Sequence, residues 1–194
     1  MIASLKDLLV FEEGRELTPY KDELGIWTIG VGFNLEANVL PQNIAQSLVA
    51  MIPSDWRSRY DNLMMQSRGI PWPHNLTLIQ DAGGSITDVQ CDELYSDTLD
   101  GILEWLPGLV ESYDSLNVVR QAAFVDMAWN LGENRFSEFG DFISLCNEAA
   151  ETGNWDQAIN DLMHTLVWQQ FEDMHNERYH RIADMLTTGR WPEV

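Results

Sequence analysis

The stretch that decides the fold is Phe11–Glu36, FEEGRELTPYKDELGIWTIGVGFNLE, because a helical period gives way there to a strand period. Before it, Ile2, Leu5, Leu8 and Leu9 repeat at helical spacing, and Ser4 with Asp7 makes a capping box. Gly14 supplies a C-terminal stop. Glu12 and Glu13 therefore fall in the last helical turn, at the negative pole of the helix dipole. That placement costs about 0.3–1 kcal/mol for each exposed acid, so it calls for a reason. After Gly14 the pattern changes. Asp22–Gly25 reads as a turn, and Ile26–Phe33 alternates as a strand. Trp27, Ile29, Val31 and Phe33 make a bulky core face; Ile26, Thr28, Gly30 and Gly32 make a face almost stripped of side chains. Glycine within a strand often marks close approach by a ligand or another backbone.

Working outward, QNIAQSLVAMI and DWRSRYDNLMMQ have helical patterns separated by Pro53, and RGIPWPHNLTL reads as a loop. Gly83-Gly84 is a break, and Thr87 with Gln90 opens a long helix through a second capping box. Its inner face is Cys91, Leu94, Thr98, Ile102 and Trp105, and Pro107 should end it. From residue 116 onward every segment is helical. LNVVRQAAFVDMAWNLG is apolar nearly all round and should be the central buried helix. FGDFISLCNEAAETG, NWDQAINDLMHTLVWQQF and ERYHRIADMLTTG follow as three more. The expected architecture is α+β and predominantly helical. A small α+β lobe spans about 12–85, with 37–83 the least regular part of it, and a helical lobe spans about 86–194 and takes in the helix at 1–11.

Composition narrows the chemistry. The net charge is -20, with 11 Lys and Arg against 31 Asp and Glu, which argues strongly against nucleic-acid binding through phosphates. A lysine-poor, acid-rich surface suits a salty medium, where screening is strong. In about 0.5 M NaCl the melting temperature and activity should hold or rise; a steady fall of both would overturn that reading. No apolar run is long enough for a membrane span, and charges interrupt the N-terminal apolar segment, so neither insertion nor a signal peptide is expected. Cys91 and Cys146 lack a CxxC pattern and read as buried thiols. The four histidines form no HExxH, no nucleotide-binding glycine motif occurs, and no GxSxG is present. No metal and no cofactor is expected.

The acids remain. Glu13 at a helix end, Asp22 in a turn and Thr28 on the bare strand face could form a two-carboxylate site. A helix C-terminus and partial burial favour a protonated carboxyl, as a general acid needs; a carboxylate in a polar turn stays ionised and can hold a water. Glycoside hydrolysis uses such a pair. Spacing alone also fits a helix end and a turn with no chemistry. Of the eight tryptophans, Trp105, Trp129 and Trp155 fall at helical spacing as core residues; Trp72, between two prolines, is a sugar-stacking platform or a loop anchor.

Here the residues carry a resemblance. FEEG, YKD and TIGVGF, with Glu13, Asp22 nine residues on and Thr28 six further, resemble the active-site segment of the T-even phage lysozymes, glycoside hydrolase family 24. ITDVQCDELYSDTLDGIL, YDSLNVVRQAAFVDMAWNLG, GNWDQAINDL and RYHRIADMLTTGRW resemble the later helices of that family. The resemblance covers about 1–36 and 84–194 and implies a single lysozyme domain over 1–194, two-lobed, with a long connecting helix. It implies a muramidase that cuts the β-1,4 bond between N-acetylmuramic acid and N-acetylglucosamine, with Glu13 as general acid and Asp22 and Thr28 holding the attacking water. Inversion is implied, with carboxyl groups roughly 6.5–9.5 Å apart. Also implied are substrate contacts at Gly30, Gly32, Phe33, Trp129 and Asn130, to which the loop reading adds Trp72, and Arg178 and Arg181 neutralising Glu12 and orienting Glu13. Phe33 stands where the family has histidine, and 37–83 is longer than the family's short form. The implied setting is a monomeric endolysin held in the host cytoplasm until a holin pore admits it to the wall, with peptidoglycan glycan strands as its partner. Two alternatives are an inactive or virion-borne wall-binding protein, and a related glycan hydrolase or transglycosylase.

Overall fold

The structure, a computed structural model, describes residues 2–22, 24–49, 76–81, 83–174 and 176–193. Trp72, the Pro71–Pro73 loop, the DWRSRYDNLMMQ segment, His74 and His175 lie outside them. The chain divides into two compact units, Glu13–Thr98 and Met1–Glu12 with Leu99–Val194.

The first helix, α1 (Leu5–Glu13), stops where the sequence says it should, with Gly14 at φ 77°. Its start is capped as expected: Ser4 Oγ accepts from the Asp7 N–H at 3.1 Å, while Asp7 reaches back to the Ala3 N–H. The unit that begins at Glu13 holds a three-stranded antiparallel sheet, β1 (Glu16–Lys21), β2 (Trp27–Gly30) and β3 (Phe33–Asn34), in the order β1-β2-β3. Lys21 faces Trp27 and Tyr20 faces Thr28, with an irregularity between Glu16 and Tyr20 where Pro19 falls. A proline without an N–H is tolerated at such a point on an edge strand.

The expected single strand over 26–33 is instead a hairpin. The chain turns at Gly30, Val31 and Gly32, and Phe33 pairs back with Ile29. Both glycines have φ near +68°, a conformation that side chains disfavour, so they make the turn rather than line a flat strand. Nor is the second face bare. Thr28 is buried like Trp27 and Ile29, because β2 is the middle strand and is covered on both sides.

The same unit contains α2 (Gln42–Val49), α3 (Leu76–Asp81) and the first part of α4 (Asp88–Leu109). α3 lies partly where the sequence reads as a loop, and burial of Ile79 gives it a core-facing side. The predicted box at the start of α4 is present: Gln90 N–H donates to Thr87 Oγ1 at 3.2 Å, and Thr87 N–H donates to Gln90 Oε1 at 3.0 Å. α4 runs through Pro107 rather than ending there. The proline forfeits a hydrogen bond near the end of the helix, while burial of Leu106 and Val110 on either side keeps the chain on a helical path. Leu106, not Trp105, completes the buried face.

In the helical unit, a 3₁₀ turn (Tyr113–Ser115) precedes α5 (Val118–Ser137), capped by Asn117 Oδ1 on the Arg120 N–H at 3.0 Å. α5 is the buried central helix that its apolar sequence predicts; Phe124, Met127 and Ala128 are fully enclosed. It breaks at Gly132, where the apolar run ends, and continues as one further turn. α6 (Gly140–Thr152) closes on Gly153 and α9 (Arg178–Thr188) on Gly189. The single helix expected over 154–171 is two, α7 (Asp156–Met163) and α8 (Leu166–Asp173). Thr165 divides them because its hydroxyl caps the second, accepting from the Trp168 N–H at 3.1 Å. Trp155 is buried, whereas Trp105 and Trp129 are only partly so. Neither cysteine is in a disulfide, and both are buried as predicted. No helix among the described residues is long and apolar enough to cross a membrane.

Candidate active site

Glu13, Asp22 and Thr28 all belong to the sheet-containing unit. Each is placed by local backbone chemistry. Glu13 is the last residue of α1, and the Tyr20 hydroxyl donates to its carbonyl at 3.3 Å. Asp22 follows β1 and organises the turn itself. Its Oδ1 accepts from the Leu24 N–H at 2.9 Å and the Ile26 N–H at 2.8 Å, and its carbonyl accepts from Gly25. The Ile26 carbonyl gathers the rest, accepting from the Asp22 N–H at 3.0 Å and the Thr28 hydroxyl at 3.2 Å. The aspartate and the threonine are thus tied to one peptide unit, and Thr28 is only 5% exposed. Such a framework holds a carboxylate and a hydroxyl in fixed register, which is what directing a water requires.

Tyr20 was not predicted. Its signal is positional: it lies two residues before Asp22, near the end of β1, and pairs across the ladder with Thr28. Burial pushes its phenol up to about 12, and the charges of Glu13, Asp22 and Glu16 add to the shift. Tyr20 therefore stands among the candidate acids. A phenol that holds its proton more tightly when folded favours the native state below its unfolded value near 10, and that stability drains away as pH climbs towards 12. Tyr20→Phe should flatten the fall of melting temperature between about pH 10 and 12; an unchanged slope would show that another group governs it.

Gly32 and Gly30 face opposite neighbours. A Cβ on Gly30 would meet Cys91 Sγ at 3.5 Å and Leu94 at 3.8 Å, so that glycine backs onto α4. At Gly32 it would fall 2.6 Å from Glu13 Oε2. Phe33 is half-buried next to it in β3. Trp129 and Asn130 lie on α5 in the helical unit, where the Tyr179 hydroxyl donates to Asn130 Oδ1 at 3.3 Å. A groove of about 460 Å³ also opens in that unit, lined by Ser137–Phe142 and Thr165–Val167, and it includes none of the predicted residues.

The ion pairs separate cleanly. Arg181 grips Glu12 with two bonds, 2.6 and 2.8 Å, and its guanidinium lies 5.1 Å from the Phe11 ring centre. The Glu12 side chain is 3% exposed. Arg178 is buried against Asp126, donating to its Oδ1 at 2.7 and 3.2 Å and to its carbonyl at 3.2 Å. Asp126 was also missed; a single acid inside the apolar run of α5 was its trace. Among the described residues no cluster of three His, Cys, Asp or Glu could hold a metal ion.

No family model matches the chain. Curated relatives do. The protein named Probable T4-type lysozyme 1, from Dictyostelium discoideum, is 24% identical over 192 residues, which is 97% of this chain and 96% of that protein. Probable T4-type lysozyme 2 of the same organism is 22% identical over 196 residues, 100% and 99% of the two chains. The chain is thus similar, along its whole length, to two proteins named T4-type lysozymes. With a small antiparallel sheet and a helical remainder, its α+β architecture is that of a lysozyme-like fold.

Proposed function

We propose that this lysozyme-like protein is a glycoside hydrolase, a muramidase that cuts the β-1,4 bond between N-acetylmuramic acid and N-acetylglucosamine in bacterial peptidoglycan. The observation that carries the reading is the set Glu13, Asp22 and Thr28, held in one compact unit with Asp22 and Thr28 tied through Ile26. The full-length likeness to proteins named T4-type lysozymes supports it. In the proposed reaction Glu13 gives its proton to the departing glycosidic oxygen as the bond to the anomeric carbon breaks. Asp22 takes a proton from a water that Thr28 helps to hold, and the water oxygen adds to the anomeric carbon from the opposite face, with inversion. No cofactor or metal takes part in this scheme.

The finer reading is an endolysin that acts as a monomer and reaches the wall after a holin opens the inner membrane. Its support is the resemblance of Phe11–Glu36 to the phage enzymes. Digestion of purified peptidoglycan, followed by mass spectrometry of the fragments, tests the chemistry. Reducing N-acetylmuramic acid ends are expected. Ends in the 1,6-anhydro form would make the protein a transglycosylase, and binding without new ends would make it a wall-binding protein.

A further inference from the structure

We infer that Gly32 is a positioning residue for Glu13: the missing side chain at the β2–β3 turn is the seat in which the acid's carboxyl group rests. The inference builds on the assignment of Glu13 as general acid and assigns Gly32 a role other than touching sugar. Its observation is stereochemical. A Cβ built on Gly32 would stand 2.6 Å from Glu13 Oε2, 2.9 Å from Cδ and 3.0 Å from Cγ, so it would meet the length of the acid side chain and not merely its tip. Nonbonded carbon and oxygen atoms do not approach that closely, so even alanine must displace the carboxyl group.

The turn itself cannot retreat easily. One residue away from Val31, Gly30 packs at 3.5 Å from Cys91 Sγ and 3.8 Å from Leu94 on α4, measured from the Cβ it lacks. Ile29 is fully buried and pairs with Phe33, so the hairpin is fixed on its strand side as well. Glu13 is held on its own side by Gly14 ending the helix and by the Tyr20 hydroxyl on its carbonyl. When both backbones are held, a new Cβ moves the side chain. A displacement of about 1 Å in a reacting group lowers turnover by about 100-fold.

Gly32 also has φ 68°, so alanine there carries left-handed backbone strain whatever it touches. Gly153 separates the two effects. It has φ 78° with nothing within 4 Å of its would-be Cβ, and it ends α6 in the other unit. The experiment compares Gly32→Ala, Gly153→Ala, Glu13→Ala and the double variant Gly32→Ala with Glu13→Ala, reading turnover on a soluble peptidoglycan fragment and melting temperature. Gly32→Ala should lose about 100-fold in kcat with KM within about threefold of wild type, while Gly153→Ala keeps wild-type kcat. Gly32→Ala should also melt lower than Gly153→Ala, and the excess should vanish when Glu13 is alanine, since the clash is then gone. Wild-type kcat in Gly32→Ala, a loss carried wholly by KM, or an excess melting penalty that persists without Glu13 would each overturn the inference. If Gly32→Ala does not fold, folding of the double variant supports the contact and failure of both overturns it. Full activity of Glu13→Ala would refute the acid assignment itself and is read separately from the Gly32 contact.

Discussion

Glu13→Gln is expected to lower the clearing rate of outer-membrane-permeabilised cells by about 10²–10⁴-fold while the folded protein survives. Glutamine has nearly the same shape as glutamic acid, so the side chain still fits against Gly32, and the α1 terminus keeps its geometry. What is removed is the transferable proton. Leaving-group protonation then has to come from water, and the loss should fall on kcat. A turbidity trace that matches wild type would strip Glu13 of its role. A drop in melting temperature large enough to leave little folded protein at the assay temperature would point to structure instead, so both quantities are measured on the same preparation.

The largest stability effect is expected at Asp126. Asp126→Ala should destabilise the protein by about 3–5 kcal/mol, because it removes a carboxylate that the buried Arg178 guanidinium binds at 2.7 Å. Both side chains are nearly inaccessible, 4% for Arg178 and 1% for Asp126, so water cannot replace the lost partner. In a chain of this size that corresponds to roughly 6–20 °C in melting temperature. If thermal unfolding of Asp126→Ala stays within about 2 °C of wild type, the pair is not a strut of the helical unit.

Local signals in the chain were the readable ones. Gly14, Gly153 and Gly189 end helices where the periodicity stops, and the Ser4 and Thr87 boxes start them, because caps depend on residues three or four apart. The alternation of Trp27, Ile29 and Val31 gave their burial correctly but not the turn that follows, since a glycine in an alternating run is equally consistent with ligand approach and with a reversal. Thr165 was hidden because a threonine inside an amphipathic pattern becomes a cap only when the chain has already bent. Pro107 misled for a related reason: burial of its neighbours outweighs one missing hydrogen bond. The arginines show the limit most plainly. Arg178 and Asp126 are 52 residues apart and Arg181 and Glu12 are 169 apart, and no period in the sequence encodes which cation meets which acid. Glu13, Asp22 and Thr28 lie within one short run, where a tight turn and strand register fix where Asp22 and Thr28 fall, so their placement follows from local sequence and their chemistry awaits the assay.

Asp22 has a meaning beyond this chain. One oxygen of its carboxyl group is committed to the Leu24 and Ile26 amides, so the loop would select for it with no reaction to perform. A descendant that had given up chemistry would have reason to keep the aspartate as long as it kept the hairpin. In comparing such proteins, an intact aspartate here records an inherited loop. Taken alone it testifies to the loop; testimony to a living enzyme needs Glu13 beside it, and a lineage's loss of activity should be sought at Glu13 first.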